Sequence, residues 1–150
     1  MQTQPGETLP AGTMVRDAVA ADAQAILALA RDFATCFHLL PARFHEAFQA
    51  LMAERDASIL VAQHAGEIVG YLLGFDHHTF FANGRVAWVE EIMVRADFRR
   101  RGIGRELMRH FEARVKSRSA TLVALATRRA SDFYQSLGYE KSASYFRKLL

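Results

Sequence analysis

Residues 95–108, RADFRRRGIGRELM, set five arginines and two glycines immediately ahead of an apolar helical pattern. Glycines at the opening of a helix let backbone approach a ligand, and the first N–H groups of a helix have no intrahelical acceptor. Those donors, the positive end of the helix dipole and the charges of Arg99, Arg100, Arg101 and Arg105 together suit a phosphate. The segment directly follows an apolar strand pattern, as phosphate loops commonly do. It lacks the Gly-Lys-Ser/Thr of a P-loop, and Leu107 stands where a dinucleotide fingerprint has its third glycine. The local chemistry is that of a diphosphate cradle. The plain alternative is a solvated basic helix start.

The strand pattern itself, VAWVEEIMV (86–94), is apolar on both alternating faces apart from Glu90 and Glu91. A carboxylate in apolar surroundings holds its proton more tightly, which makes it a better base near neutrality. Strict alternation sends the two glutamates to opposite faces of a sheet. Further on, Tyr134 carries a phenol that is protonated at neutral pH and could donate that proton. Cys36, near Phe33 and Phe37, reads as small core filler rather than a nucleophile. His77 and His78 are adjacent on a strand pattern and so point apart, and no cluster completes a site, so no metal is expected.

The elements that position these groups follow from periodicity. TMVRDA (13–18) reads as a first strand, with Asp22 capping a helix whose apolar face runs Ile26, Leu29, Phe33, Phe37, Leu40. Pro41 opens a second helix that buries Phe44, Phe48, Leu51 and Met52. Residues 58–75 read as two strands joined at Ala65-Gly66. After the central strand and the arginine-glycine loop, Ile103, Leu107, Phe111 and Val115 mark one face of a helix. TLVALAT (121–127) is another strand, ASDFYQSLG (130–138) a short helix closed by Gly138, and YEKSASYFRKLL supplies one or two last strands. The order is mixed α/β.

Two of these segments carry a resemblance. RRRGIG (99–104) fits the R/Q-x-x-G-x-G/A motif of the GCN5-related N-acetyltransferases, and ASDFYQSLGY (130–139) resembles that family's A-x-x-F-Y-x-x-x-G-Y/F. One helix and one strand lie between them, as in the family. The resemblance implies an acyl-CoA N-acyltransferase fold over residues 13–150, after a flexible tail over residues 1–12. That fold is a mostly antiparallel mixed sheet of about six to seven strands with helices on both faces and splayed fourth and fifth strands. It also implies that the anion is the diphosphate of acetyl-CoA, the co-substrate. The loop and helix start from Arg99 to Arg105, Gly102, Ile103 and Gly104 included, would hold that diphosphate. Main-chain groups of Ile92, Met93 and Val94 would meet the pantetheine arm, and Phe133 and Thr127 would also lie on the cofactor. Thr127 stands where many members carry asparagine. Glu90, four residues before the strand-ending Val94, is the favoured base, with Glu91 structural or at the substrate mouth, although a bulge common in this strand re-aims side chains. Tyr134 falls on the motif tyrosine that is commonly given the role of general acid.

By the resemblance the acceptor is a primary amine, attacked without metal or covalent intermediate. Its site is expected from residues 35–50 and 140–146, with a histidine of the pair nearby; Phe80, Phe81 and Trp88 suit either that groove or the core equally well. A homodimer and a cytoplasmic location are the accompanying expectations. The N-terminus has neither the basic nor the apolar stretch of a signal peptide, no apolar run reaches bilayer length, and one cysteine allows no internal disulfide. Net charge is +3, so any basic surface is local. Nine basic residues between Arg95 and Arg118 keep a nucleic-acid-binding module in view, and a coenzyme A-binding regulator without catalysis is the third reading.

Overall fold

The computed structural model describes residues 9–34 and 36–150. Its centre is a five-stranded sheet in the order β1 (Thr13–Asp17), β2 (Ala57–His64), β3 (Glu67–Thr79), β4 (Gly84–Val94), β5 (Ala120–Leu125). The first four strands are antiparallel neighbours and β5 lies parallel to β4. Ala65 and Gly66, at φ +47° and +86°, make the two-residue β2–β3 turn. Left-handed backbone at both positions matches the twist of the paired strands.

Four helices cover the sheet: α1 (Ala23–Phe33), α2 (Pro41–Ala53), α3 (Ile103–Ser117) and α4 (Ser131–Ser136). On one face Ile103, Leu107, Phe111 and Val115 of α3 pack with Leu60, Leu72, Ala87 and Val89. None of the four α3 residues is more than 1 % exposed, so the spacing read from the sequence is the buried stripe of the helix. Tyr134 of α4 joins this core. On the other face Ile26, Leu29 and Ala30 of α1 and Phe48 of α2 pack with Val61 and Tyr71.

Three expectations are corrected. The sheet has five strands, not six to seven, because residues 139–150 form no strand. Instead this segment passes the face that carries α1 and α2: the Tyr145 ring stacks on Trp88 with centroids 6.4 Å apart, and Arg147 Nη1 donates to Cys36 Sγ at 3.3 Å. The first helix ends at Phe33, where Ala34 is extended and its N–H closes the last turn on Ala30. Phe37 and Leu40 therefore lie outside the helix and are 70 % and 53 % exposed, and Cys36 is exposed rather than core filler. Asp22 precedes α1 but makes no side-chain cap to it. Its carboxylate takes two guanidinium hydrogen bonds from Arg16, at 2.8 and 3.0 Å, and the Val19 N–H. Of the expected tail, residues 1–8 lie outside the described residues, while Leu9 packs against the α3 face. Among the described residues no helix is long and apolar enough to cross a membrane.

Candidate active site

The parallel β4–β5 ladder runs through Ala87–Val123 and Trp88–Ala124 and stops at Val89–Leu125. β4 continues for five more residues, to Val94, paired only with β3. One backbone edge of Glu90–Val94 is thus open, and the two strands part there. The Arg95 N–H donates to Val69 on β3. Backbone groups alternate along a strand, so Met93 also turns its N–H and C=O to β3, while those of Ile92 and Val94 face the opening. Of the three residues expected to offer main-chain bonds to a pantetheine arm, 92 and 94 face the gap and 93 does not. The Val94 carbonyl is met by Arg99 Nε at 3.0 Å.

A bulge decides which glutamate is buried. Gly74 opposes Val89, but Leu73 opposes Glu91, leaving Glu90 as the extra residue on β4. An unpaired residue of this kind reverses the facing of everything after it. Glu91 is turned to the face of α1 and α2, where Tyr71 Oη donates to its Oε2 at 2.9 Å. Glu90 is exposed, so the carboxylate in apolar surroundings is Glu91 and not the favoured Glu90. Burial raises the Glu91 pKa above the ordinary carboxylate value; the Tyr71 hydrogen bond opposes that rise, and the charge of Glu90 adds to it. Burial among core residues, with Glu91 beside it, raises the Tyr71 phenol strongly, so it is a donor at any physiological pH. Sequence reasoning missed Tyr71 as part of the site. Its signal lies in IVGYLLGF (68–75), a hydroxyl in an otherwise apolar strand that must find a buried partner.

Tyr134 stands on the opposite face, in the core cluster that also holds Val89 and partly buried Leu125. Its ring meets Phe133 and Tyr139 edge-on at 5.0 and 5.9 Å. Among the described residues the Tyr134 hydroxyl has no hydrogen-bond partner, and burial raises its pKa, which keeps the proton in place at neutrality. The Tyr139 N–H bonds to the Tyr134 carbonyl across left-handed Gly138, the helix-closing geometry read from the sequence.

At the other end of the opening, α3 begins behind Gly102, which has φ +77°. The first helical N–H with an acceptor four residues back is that of Glu106, to Gly102 at 3.0 Å. The N–H groups of Ile103, Gly104 and Arg105 precede it and project from the helix end. They fit a diphosphate. The second glycine also serves packing. A Cβ on Gly104 would lie 3.2 Å from Phe133 Cζ, so its absence lets α3 start close against α4. This explains Phe133 as a support of the loop. Thr127 Oγ1 accepts the Ala130 N–H at 3.0 Å and so holds the turn into α4.

At least four of the nine basic residues of this region sit in ion pairs. Arg95 pairs with Asp97 and Glu67, Arg109 with Glu106, Arg114 with Asp17, and Arg118 with fully buried Asp76. Arg101 lies over the Phe98 ring at 5.2 Å, and Arg100 is exposed with no ion pair among the described residues. Arg100 and Arg101 thereby leave positive charge at the start of α3. Phe80 and Phe81 are exposed on the β3–β4 connection, and His78 Nδ1 lies 3.1 Å from Arg85 Nη1. Among the described residues no group of three or more His, Cys, Asp and Glu is placed to hold a metal.

Comparison with known proteins agrees with this fold. The family model for the acetyltransferase (GNAT) family matches residues 24–139. Among solved structures, a transcriptional regulator from Bacillus halodurans superposes with a TM-score of 0.82 at 23 % identity, covering 92 % of this chain and 99 % of that one. Glucosamine-6-phosphate N-acetyltransferase from Arabidopsis thaliana gives 0.82 at 18 % identity, over 91 % and 97 %. An aminoglycoside antibiotic 6'-N-acetyltransferase from Acinetobacter haemolyticus gives 0.74 at 22 % identity, over 91 % and 99 %. At these identities the likeness shows the fold. No curated protein matches the sequence. The family model covers most of the chain and both motifs that suggested it: the protein belongs to the GNAT acetyltransferase family.

Proposed function

We propose that residues 13–150 are one N-acetyltransferase domain that moves acetyl from acetyl-CoA directly to a primary amine, with Glu91 as base and Tyr134 as proton donor. The observation that carries this reading is the opening of β4 from β5 beyond Val89–Leu125, with Glu91 just past it on one face of the sheet and Tyr134 in the core of the other face. Acetyl-CoA supplies an activated thioester. The Ile103, Gly104 and Arg105 amides, with Arg100 and Arg101 beside them, hold its diphosphate, and the backbone of Ile92 and Val94 lines the gap. An amine with a pKa of about 10.4 carries no free lone pair at neutrality. Glu91 Oε1, the oxygen not held by Tyr71, takes its proton. On the far face Tyr134 presents a free hydroxyl to the departing thiolate.

The acceptor approaches from the Glu91 face, over Trp88 and Tyr145. Exposed Glu90 adds negative charge at that mouth, which favours a cationic acceptor. The test is turnover of acetyl-CoA against glucosamine 6-phosphate, an aminoglycoside, spermidine, and peptides with a free N-terminal alanine or an internal lysine. Acetylation of one class that depends on Glu91 supports the reading. Tight acetyl-CoA binding with no amine turned over would leave a coenzyme A-dependent regulator, and salt-sensitive DNA binding alone would leave a nucleic-acid module.

A further inference from the structure

We infer that Tyr71 is a positioning residue for this reaction: its buried hydroxyl anchors one oxygen of Glu91 and leaves the other as the single proton acceptor facing the acceptor amine. The inference rests on the reading of Glu91 as base. Three observations carry it. The hydrogen bond from Tyr71 Oη to Glu91 Oε2 is 2.9 Å and joins two strands across the face that carries α1 and α2. Tyr71 is 1 % exposed and wedged among Val61, Ile26, Ala30 and Phe48, so its hydroxyl cannot follow a wandering carboxylate. Glu91 is the first paired residue after the bulge, where strand geometry alone leaves side-chain direction least defined.

The chemistry follows from what a phenol can do. With its pKa far above neutrality, Tyr71 donates and never competes for the amine's proton. A hydrogen bond given to a carboxylate favours the ionised form, so Tyr71 limits the rise that burial imposes on Glu91. The groups that act on Glu91 are Tyr71 from β3 and Glu90 from β4. α1 and α2 contribute Ile26, Ala30, Phe44 and Phe48 to this core. Tyr71 thus favours the ionised form of Glu91, and a wholly apolar residue of the same shape would fill the space without that effect.

The test compares wild type, Tyr71→Phe and Tyr71→3-fluorotyrosine, using the best amine of the acceptor panel, with the Glu91 carboxyl also titrated by ¹³C NMR in each protein. Loss of a hydrogen bond to a charged group corresponds to about one to two pH units. Tyr71→Phe should move the acidic limb of kcat/KM and the Glu91 titration upward by that amount, with KM for acetyl-CoA unchanged. The fluorinated residue keeps the shape and is a stronger donor, so it should move both downward. A uniform rate loss with neither midpoint displaced would make Tyr71 merely structural and overturn the inference. Glu91→Gln separates the two claims. If it abolishes the limb while both Tyr71 variants leave it in place, only the positioning role fails. If it leaves rate and limb unchanged, the base assignment fails and the positioning role with it.

Discussion

Val89 faces Leu125 as the last pair of the β4–β5 ladder, and the extra residue Glu90 follows it at once on β4. The opening of the sheet and the reversal of side-chain facing therefore begin at the same step of one strand. Together they set a partly buried carboxylate beside an open backbone edge.

The assignment of the base separates two adjacent glutamates. Glu91→Gln is expected to lower kcat/KM by about 10²- to 10⁴-fold, the usual range for a general base, and Glu90→Gln to act mainly on KM for a cationic acceptor. Because burial raises the Glu91 pKa, the acidic limb of the wild-type profile should lie above the ordinary glutamate value of about 4.3. A pH series of initial rates for the three proteins checks both points.

Tyr134→Phe should lower kcat by about 10²-fold or more while acetyl-CoA affinity stays within about twofold. The hydroxyl has no partner to lose among the described residues, so thermal stability should hold. Calorimetric titration with acetyl-CoA beside steady-state rates tests this. A collapse of affinity would make the phenol structural.

Gly74→Ala should destabilise the domain by about 1–3 kcal/mol, the usual cost of overpacking. A Cβ there would collide with Phe111 Cζ and stand 3.1 Å from the Trp88 carbonyl. Phe111 is fully buried and cannot swing away. Gly74 also pairs with Val89 beside the bulge, so the variant should lose activity along with stability. Urea unfolding and a rate measurement on the same preparation are the checks.

The Arg16–Asp22 pair gives a pH signature. Arg16 holds the Asp22 carboxyl below the usual carboxylate value. In the folded state it then binds fewer protons than in the unfolded chain, so its stabilisation is present above about pH 4 and is lost as pH falls through the folded pKa. Glu91 works in the opposite sense: its raised pKa makes ionisation costly to the fold as pH climbs above about 4. Asp22→Asn should flatten the acidic side of a stability–pH curve measured by denaturant unfolding, leaving less to lose below pH 4.

Much of this arrangement was legible in the residues. The buried stripe of α3, the Ala65-Gly66 turn and the two motifs each depend on neighbours close in sequence. The bulge did not show, because it is a mismatch between two strands: β4 alternates smoothly until β3 is laid beside it and Leu73 meets Glu91. The apolar rhythm of α1 continues through Phe37 and Leu40 after the helix has ended, since spacing cannot see the extended backbone at Ala34. The last segment has strand-like residues, yet it forms no strand and its Tyr145 ring stacks on Trp88.

The most direct measurement of the central claim is amide hydrogen exchange with and without acetyl-CoA. If the opened edge of β4 and the start of α3 form one site, protection should rise at the amides of Ile92, Val94, Ile103, Gly104 and Arg105, while Met93, already bonded to β3, stays unchanged. Protection confined to other elements, or spread evenly over the chain, would contradict the account.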